Sequence, residues 1–140
     1  MNALASTLPP IVLSETDHDR LLSLLDTELA ALHARPAEIL RRELDRAEIV
    51  PSDRVPRGVV TMGAHVLYAD SFGTRAEVEL AYPWEASAHA RRVSILSPLG
   101  ASLIGLREGA QFDWYMPSGR VHRVTVLSVT RPSAGATRAR

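Results

Sequence analysis

The hydrophobic pattern divides the chain into a first third with helical spacing and a remainder with strand-like alternation. Residues 14–35 are predicted to form an amphipathic helix of about 18 residues. Its apolar stripe is built from leucines at spacings of three, four and three, namely Leu22, Leu25, Leu29 and Leu32, and Leu21 widens it. Ser14 is the predicted N-cap, and Asp17 completes an acidic variant of the capping box.

A second amphipathic segment, residues 37–50, carries Leu40, Leu44 and Ala47 on one face. The break at residues 33–36 is short, so the two helices are predicted to run antiparallel and to bury their stripes against each other. Residues 11–50 are therefore predicted to be a helical hairpin. The segment 51-PSDRVPRG-58, with two prolines and a glycine, is the predicted linker.

After the linker the pattern alternates with a period of two, which is typical of strands. The predicted strands are residues 59–62, 65–69, 75–82, 93–96, 112–116 and 121–130. A short helix is predicted over residues 98–106, with Pro98 in its first turn. The fold class is therefore α+β, a helical hairpin followed by an antiparallel sheet of about five strands. The tail 131-RPSAGATRAR-140 is predicted to be disordered.

Composition and charge narrow the function classes. The 16 basic and 16 acidic residues cancel, so a general attraction to phosphate backbones is missing, and sequence-specific nucleic-acid binding is not expected. The absence of cysteine excludes disulfides and thiolate chemistry, and is compatible with the cytoplasmic location that we expect. The sequence contains no run of about 18 apolar residues, so no membrane span is predicted.

Candidate chemistry is sparse. Ser97 lacks the glycine-flanked elbow of a serine nucleophile, and the following Pro98 removes a backbone N–H, so helix capping is the better interpretation. The five histidines have no metal-binding spacing, and no catalytic residue, metal or cofactor is predicted. The acids of residues 38–48 alternate with arginines, which predicts ion pairs on a solvated helix face. Trp84 and Trp114 are predicted to be half-buried core residues.

Three segments together resemble the Gre transcription-elongation-factor superfamily, and within it the Rnk (regulator of nucleoside diphosphate kinase) family. They are 43-ELDRA-47, 56-PRGVVTM-62 and 97-SPLGASLIGLREGAQFDWYMPSGRVHRVTVLSV-129. The resemblance extends from about Ile11 to Thr130. It implies a coiled-coil-like hairpin over residues 11–50, an FKBP-like domain over residues 53–132, and a disordered tail at 133–140.

The resemblance also implies a partner, RNA polymerase. Gre-type factors dock on a coiled coil of the largest polymerase subunit at the rim of the secondary channel. The matching positions here are Leu96, Ser97, Pro98 and Leu99. Where some Gre factors carry an acid before the serine, this chain has Leu96, so docking is expected to depend on apolar contact and the capped helix end.

Transcript-cleaving Gre factors extend a long hairpin tipped by two acids, which hold the metal ion that activates water. The corresponding tip here has His33 and Arg35, with Glu38 as a single acid just beyond it. The second helix would reach only roughly 20 Å. We therefore expect binding without cleavage, competition with Gre factors, and an indirect effect on nucleoside diphosphate kinase through transcription.

Two alternatives remain open at this point. One is an FKBP-like peptidyl-prolyl isomerase, although fold analogy is weak support and few aromatic residues are present to build a proline pocket. The other is a residual cleavage factor that uses Glu38 with Glu43. These residues are five apart and do not share a helix face.

Overall fold

The computed structural model describes residues 8–87, 90–115 and 118–131, with the side chain of Tyr115 left aside. The predicted tail at 133–140 lies outside these residues, as do the first seven residues. Met116, the last residue of the strand predicted over 112–116, and Pro117, which follows it, also lie outside. The described chain is a mixed α+β structure built from seven strands and four α-helices.

The N-terminal part contains β1 (Val12–Ser14), α1 (Glu15–Leu25), α2 (Glu28–Leu32), α3 (Ala34–Arg46) and β2 (Glu48–Val50). The prediction of a single first helix is wrong, because the helix is interrupted at residues 26–27 and a second N-cap follows. The Thr27 side chain accepts a hydrogen bond from the amide of Ala30 at 3.3 Å. This cap restarts the helix in a new phase.

The leucines of the predicted stripe do not share one buried face. Leu21, Leu24 and Leu25 are buried, whereas Leu22 is 41% exposed and Leu32 is 78% exposed. Leu22 lies on α1 before the break and next to the buried face, so its exposure has nothing to do with the break. Leu32 lies on α2, where the restart at Thr27 has changed the phase of the helix.

The second predicted helix begins and ends earlier than expected. It starts at Ala34, since Pro36 lies in the first turn, where a backbone N–H has no intrahelical acceptor. It ends at Arg46, and the expected last turn is instead β2, which pairs in parallel with β1. The amide of Glu48 donates to the carbonyl of Ile11 at 3.0 Å, which connects the two ends of the helical segment.

The second part is a five-stranded sheet in the order β5–β4–β3–β7–β6. Its strands are β3 (His65–Asp70), β4 (Arg75–Ala81), β5 (Arg92–Ser94), β6 (Gln111–Tyr115) and β7 (Val121–Thr130). The hairpin of β6 and β7 and the pairing of β3 with β4 are antiparallel, as predicted. The β4–β5 pair is parallel, so the prediction of a wholly antiparallel sheet is wrong. The chain leaves β4 through a 3-10 turn (Pro83–Glu85) and returns in the same direction.

Residues 59–62 form no strand, contrary to prediction. Val59 makes one isolated bridge with Arg107, and the amide of Val60 donates to the carbonyl of Leu106 at 2.8 Å. Gly63 then takes a positive φ of 84°, which ends the extended course. Val59 and Val60 are both fully buried. The apolar residues of this segment therefore reflect burial in the core and not pairing in a sheet.

One hydrophobic cluster contains residues of both parts of the chain. It includes Leu21 of α1, Leu40 of α3, Leu80 of β4 and Leu103 of α4 (Pro98–Leu103). Gly105 lies against β1, and a Cβ there would come 2.9 Å from the Cβ of Ile11. The helices thus do not bury their stripes only against each other, because the sheet and α4 supply part of the covering surface.

Candidate functional site

The best candidate site is the corner between β5 and α4, residues 94–99, which we call the Ser-Pro corner. The hydroxyl of Ser97 accepts from the amide of Gly100 at 3.1 Å and donates to the carbonyl of Ser94 at 2.7 Å. The hydroxyl of Ser94 accepts from the amide of Leu96 at 2.9 Å. Two serines therefore fix the backbone of the corner, and the predicted capping role of Ser97 is confirmed.

Exposure differs sharply among the four predicted docking residues. Pro98 is exposed and Ser97 is half-buried, whereas Leu96 is only 3% exposed and Leu99 only 7%. Leu96 and Leu99 point into the main hydrophobic cluster. The two leucine side chains are therefore already used by the fold, and among the four predicted docking residues only Ser97 and Pro98 present side-chain surface to a partner. The expected apolar contact would thus come from Pro98 and not from the leucines.

Gly100 brings the first turn of α4 against the end of β5. A Cβ at this position would lie 2.1 Å from the carbonyl oxygen of Ser94 and 2.9 Å from its carbonyl carbon. No side chain fits in that space without movement of the backbone. The corner is therefore held from two directions, by the serine hydrogen bonds and by a close backbone contact.

The second candidate region is the predicted hairpin tip. His33 lies between α2 and α3 and caps neither with its side chain; both His33 and Arg35 are exposed. Glu38 lies on the first turns of α3, where its carboxylate contacts Arg42 at 3.3 Å. The structure thus places one arginine at the tip and gives the nearby acid a cationic partner of its own.

The acids of α3 do not converge. Glu43 pairs with Arg46 at 2.8 Å, and Arg46 also donates to the carbonyl of Pro9 at 2.6 Å. Both glutamates form the predicted ion pairs, but only the pair of Glu38 and Arg42 lies on a solvated face, because the pair of Glu43 and Arg46 is largely buried. Within the part of the chain that the structure describes, no group of three or more His, Cys, Asp or Glu residues could hold a metal ion.

Two features were missed by sequence reasoning. Asp17, expected to complete a capping box, instead accepts from the amide of Met62 at 3.1 Å and so joins α1 to the segment before β3. Burial raises the pKa of this carboxyl, and the Met62 amide and the nearby Arg20 act in the opposite direction. Trp84, predicted to be half-buried, is 68% exposed. An acid at N3 is equally typical of a capping box, so the sequence held no signal for the contact with Met62.

Comparisons with known proteins connect this geometry to a family. The family model "Transcription elongation factor, GreA/GreB, C-term" matches residues 55–131, and the model "Rnk N-terminus" matches residues 9–50. A "Regulator of nucleoside diphosphate kinase" from Escherichia coli (strain K12) is 32% identical over 123 residues, which cover 86% of this chain and 89% of the relative. The chain belongs to the Rnk branch of the GreA/GreB family.

Other relatives of this Rnk-type chain are elongation factors. "Transcription elongation factor GreA" from Chloroflexus aurantiacus is 35% identical over 101 residues, covering 71% of this chain and 63% of the relative. A solved structure, "Prokaryotic transcription elongation factor GreA/GreB from Nitrosomonas europaea", superposes with a TM-score of 0.71 at 35% identity. That superposition covers 87% of this chain and 98% of the other. Neither matching family description names a catalytic activity.

One further finding concerns membranes. In residues 8–87, 90–115 and 118–131, no helix is both long and apolar enough to cross a bilayer.

Proposed function

We propose that this Rnk-type chain binds RNA polymerase at the rim of the secondary channel and regulates transcription there without cleaving the transcript. The observation that carries the proposal is the match of residues 55–131 to the C-terminal family model of GreA and GreB, which contains the whole Ser-Pro corner. The finer architecture belongs to the same proposal: a coiled-coil-like hairpin over residues 11–50 and an FKBP-like domain over residues 53–132.

The proposed contact surface is Ser97 and Pro98, with the largest-subunit coiled coil of the polymerase as the partner. The buried Leu96 and Leu99 act indirectly, because they hold the corner on the hydrophobic cluster beneath it. Pro98 offers a rigid apolar ring at the start of α4, and its fixed φ costs no entropy on binding. A small, pre-formed corner of this kind suits a partner helix that presents a matching depression.

A retention assay on immobilised core RNA polymerase tests this contact. Ser97→Asp keeps a good N-cap while placing a charge in the surface, and Pro98→Ala removes the ring. Both variants are expected to be retained at least fivefold less than wild type, about 1 kcal/mol of binding free energy. Gln111→Ala, an exposed position on β6 at the opposite sheet edge, is the matched control and should be retained like wild type. Equal retention of all four proteins would refute the docking surface.

The absence of cleavage is proposed on the geometry of the N-terminal helices. The 13 residues of α3 span roughly 20 Å. Water activation by a second metal ion needs two carboxylates that converge. Glu38 and Glu43 instead contact different arginines, Arg42 and Arg46. Release of short RNA from stalled elongation complexes by wild type, and its loss in Glu38→Ala, would contradict the proposal.

From the same site a non-cleaving binder would compete with Gre factors in the cytoplasm. An effect on nucleoside diphosphate kinase would follow indirectly, through transcription. Such an effect should disappear in the Ser97→Asp variant, as measured by the amount of the kinase transcript. Direct stimulation of purified nucleoside diphosphate kinase by the chain would contradict this route.

A further inference from the structure

An open groove lies between α1 and the 3-10 turn that follows β4. One wall is formed by Arg20, Ser23, Leu24 and Thr27, and the other by Tyr82, Trp84 and Glu85. The volume of about 470 Å³ is large enough for a long side chain with its neighbouring backbone. None of residues 94–99, the Ser-Pro corner, lines the groove.

Trp84 forms a flat platform on the second wall. Its ring stacks on that of Tyr82 with 5.1 Å between centroids and 4° between planes. Trp84 is nevertheless 68% exposed, and no ring or cation from the described residues lies on its outer face. An indole held flat by one neighbour and open on the other side is well suited to stack a planar group.

A carboxylate stands beside this platform. One oxygen of Glu85, Oε1, accepts from the amide of Tyr82 at 3.3 Å, which orients the side chain. No described residue donates to its other oxygen. The opposite wall carries a cation, Arg20, whose positive charge interacts with the carboxyl of Asp17. Electron-rich indole and an open carboxylate side by side favour a positively charged occupant.

We infer that this groove binds an arginine side chain of a protein partner, with the guanidinium stacked on Trp84 and hydrogen-bonded to Glu85. Arginine fits better than lysine because its planar, weakly hydrated head can stack and donate sideways at once. A nucleotide fits less well, because stacking its base on Trp84 would bring phosphate toward the carboxylate of Glu85. The inference is independent of the polymerase proposal, since the groove and the Ser-Pro corner share no residue.

The test is an NMR titration of the ¹⁵N-labelled full chain with the peptide acetyl-Gly-Arg-Gly-amide. The amide signals of Ser23 and Thr27 should shift and saturate. A citrulline peptide, which is planar but uncharged, should bind at least fivefold more weakly. Glu85→Gln, which keeps the acceptor for the Tyr82 amide, and Trp84→Leu should each weaken binding by about fivefold, the equivalent of about 1 kcal/mol. Phe72→Leu, at another exposed aromatic, is the matched control and should change nothing.

Four results would overturn the inference. The first is equal binding of the arginine and citrulline peptides. The second is unchanged affinity in Glu85→Gln and Trp84→Leu, with thermal melts showing that both variants are folded. The third is saturable binding of adenosine monophosphate where the arginine peptide produces no shifts, which would make the groove a nucleotide site. The fourth is a change in the amide signals that depends on the concentration of the protein and not on that of the peptide, which would indicate contact between two copies of the chain.

Discussion

Replacement of Gly100 by alanine tests the construction of the Ser-Pro corner. At an ordinary helical position this change stabilises a protein by about 1 kcal/mol, because alanine has the higher helix propensity. Gly100 lies within α4, where its amide donates to the hydroxyl of Ser97 at 3.1 Å. Propensity alone therefore predicts a more stable protein.

The structure predicts the reverse sign. The new methyl carbon would lie 2.1 Å from the carbonyl oxygen of Ser94, far inside van der Waals contact. Because that neighbour is backbone, relief requires β5 and α4 to separate. Overpacking of this kind costs about 1–3 kcal/mol, and a clash with backbone belongs at the upper end. We expect a loss of about 3 kcal/mol in the free energy of unfolding.

Urea denaturation followed by circular dichroism measures this loss, and the midpoint should fall while the slope is unchanged. Gly73→Ala is the matched control. Gly73 has a positive φ of 88°, but nothing lies within 4 Å of the added Cβ. That variant should lose only the cost of backbone strain, about 1 kcal/mol. A Gly100→Ala protein as stable as wild type would refute the close contact between α4 and β5.

Three further predictions concern individual side chains. Tyr82→Phe should change stability by no more than about 1 kcal/mol in a thermal melt, because the buried Tyr82 hydroxyl makes no hydrogen bond of good geometry with a described residue and has only the nearby Arg20 as a weak partner; a larger loss would contradict this. Burial raises the pKa of Asp17 above its ordinary 3.8, so the folded state holds that proton more tightly, and the contribution of Asp17 to stability falls as pH rises from 3.8 to the raised pKa. Asp17→Asn should flatten stability across that interval, and an unchanged pH profile would count against it. Ser97→Ala should cost about 1 kcal/mol in urea denaturation through loss of the cap. Ser97→Asp keeps an acceptor for the Gly100 amide but loses the donor to the Ser94 carbonyl, so it should also destabilise the protein.

Sequence patterns predicted the elements whose local signals agree with their surroundings. The β6–β7 hairpin and β3–β4 pair follow from alternation and turn residues, and the capped start of α4 follows from Ser97 and Pro98. The prediction of one continuous first helix was wrong at Thr27. In the sequence, a threonine within a leucine repeat is compatible both with a solvated helical position and with an N-cap, and only the structure shows that its hydroxyl caps α2.

Features that depend on distant parts of the chain could not be predicted from the sequence. The parallel pairing of β2 with β1 joins segments that are separated by three helices. The parallel pairing of β5 with β4 depends on the course of the irregular connection between them, which alternation of apolar residues does not encode. The burial of Leu96 and Leu99 has the same origin, since a leucine beside an exposed proline is compatible with either surface or core. The sequence motif that begins at Ser97 was enough to predict where the Ser-Pro corner lies. Only the packing in the structure shows which of its side chains face outward.

Binding without cleavage at the Gre site can be tested directly with stalled elongation complexes that a GreA factor cleaves. The chain should slow the release of short RNA by GreA in proportion to its concentration, and should release no RNA when added alone. Ser97→Asp should slow GreA at least fivefold less effectively, whereas Gln111→Ala should act like wild type. RNA release by the chain itself, or GreA cleavage that proceeds unchanged at saturating concentrations of the chain, would contradict binding without cleavage at the Gre site.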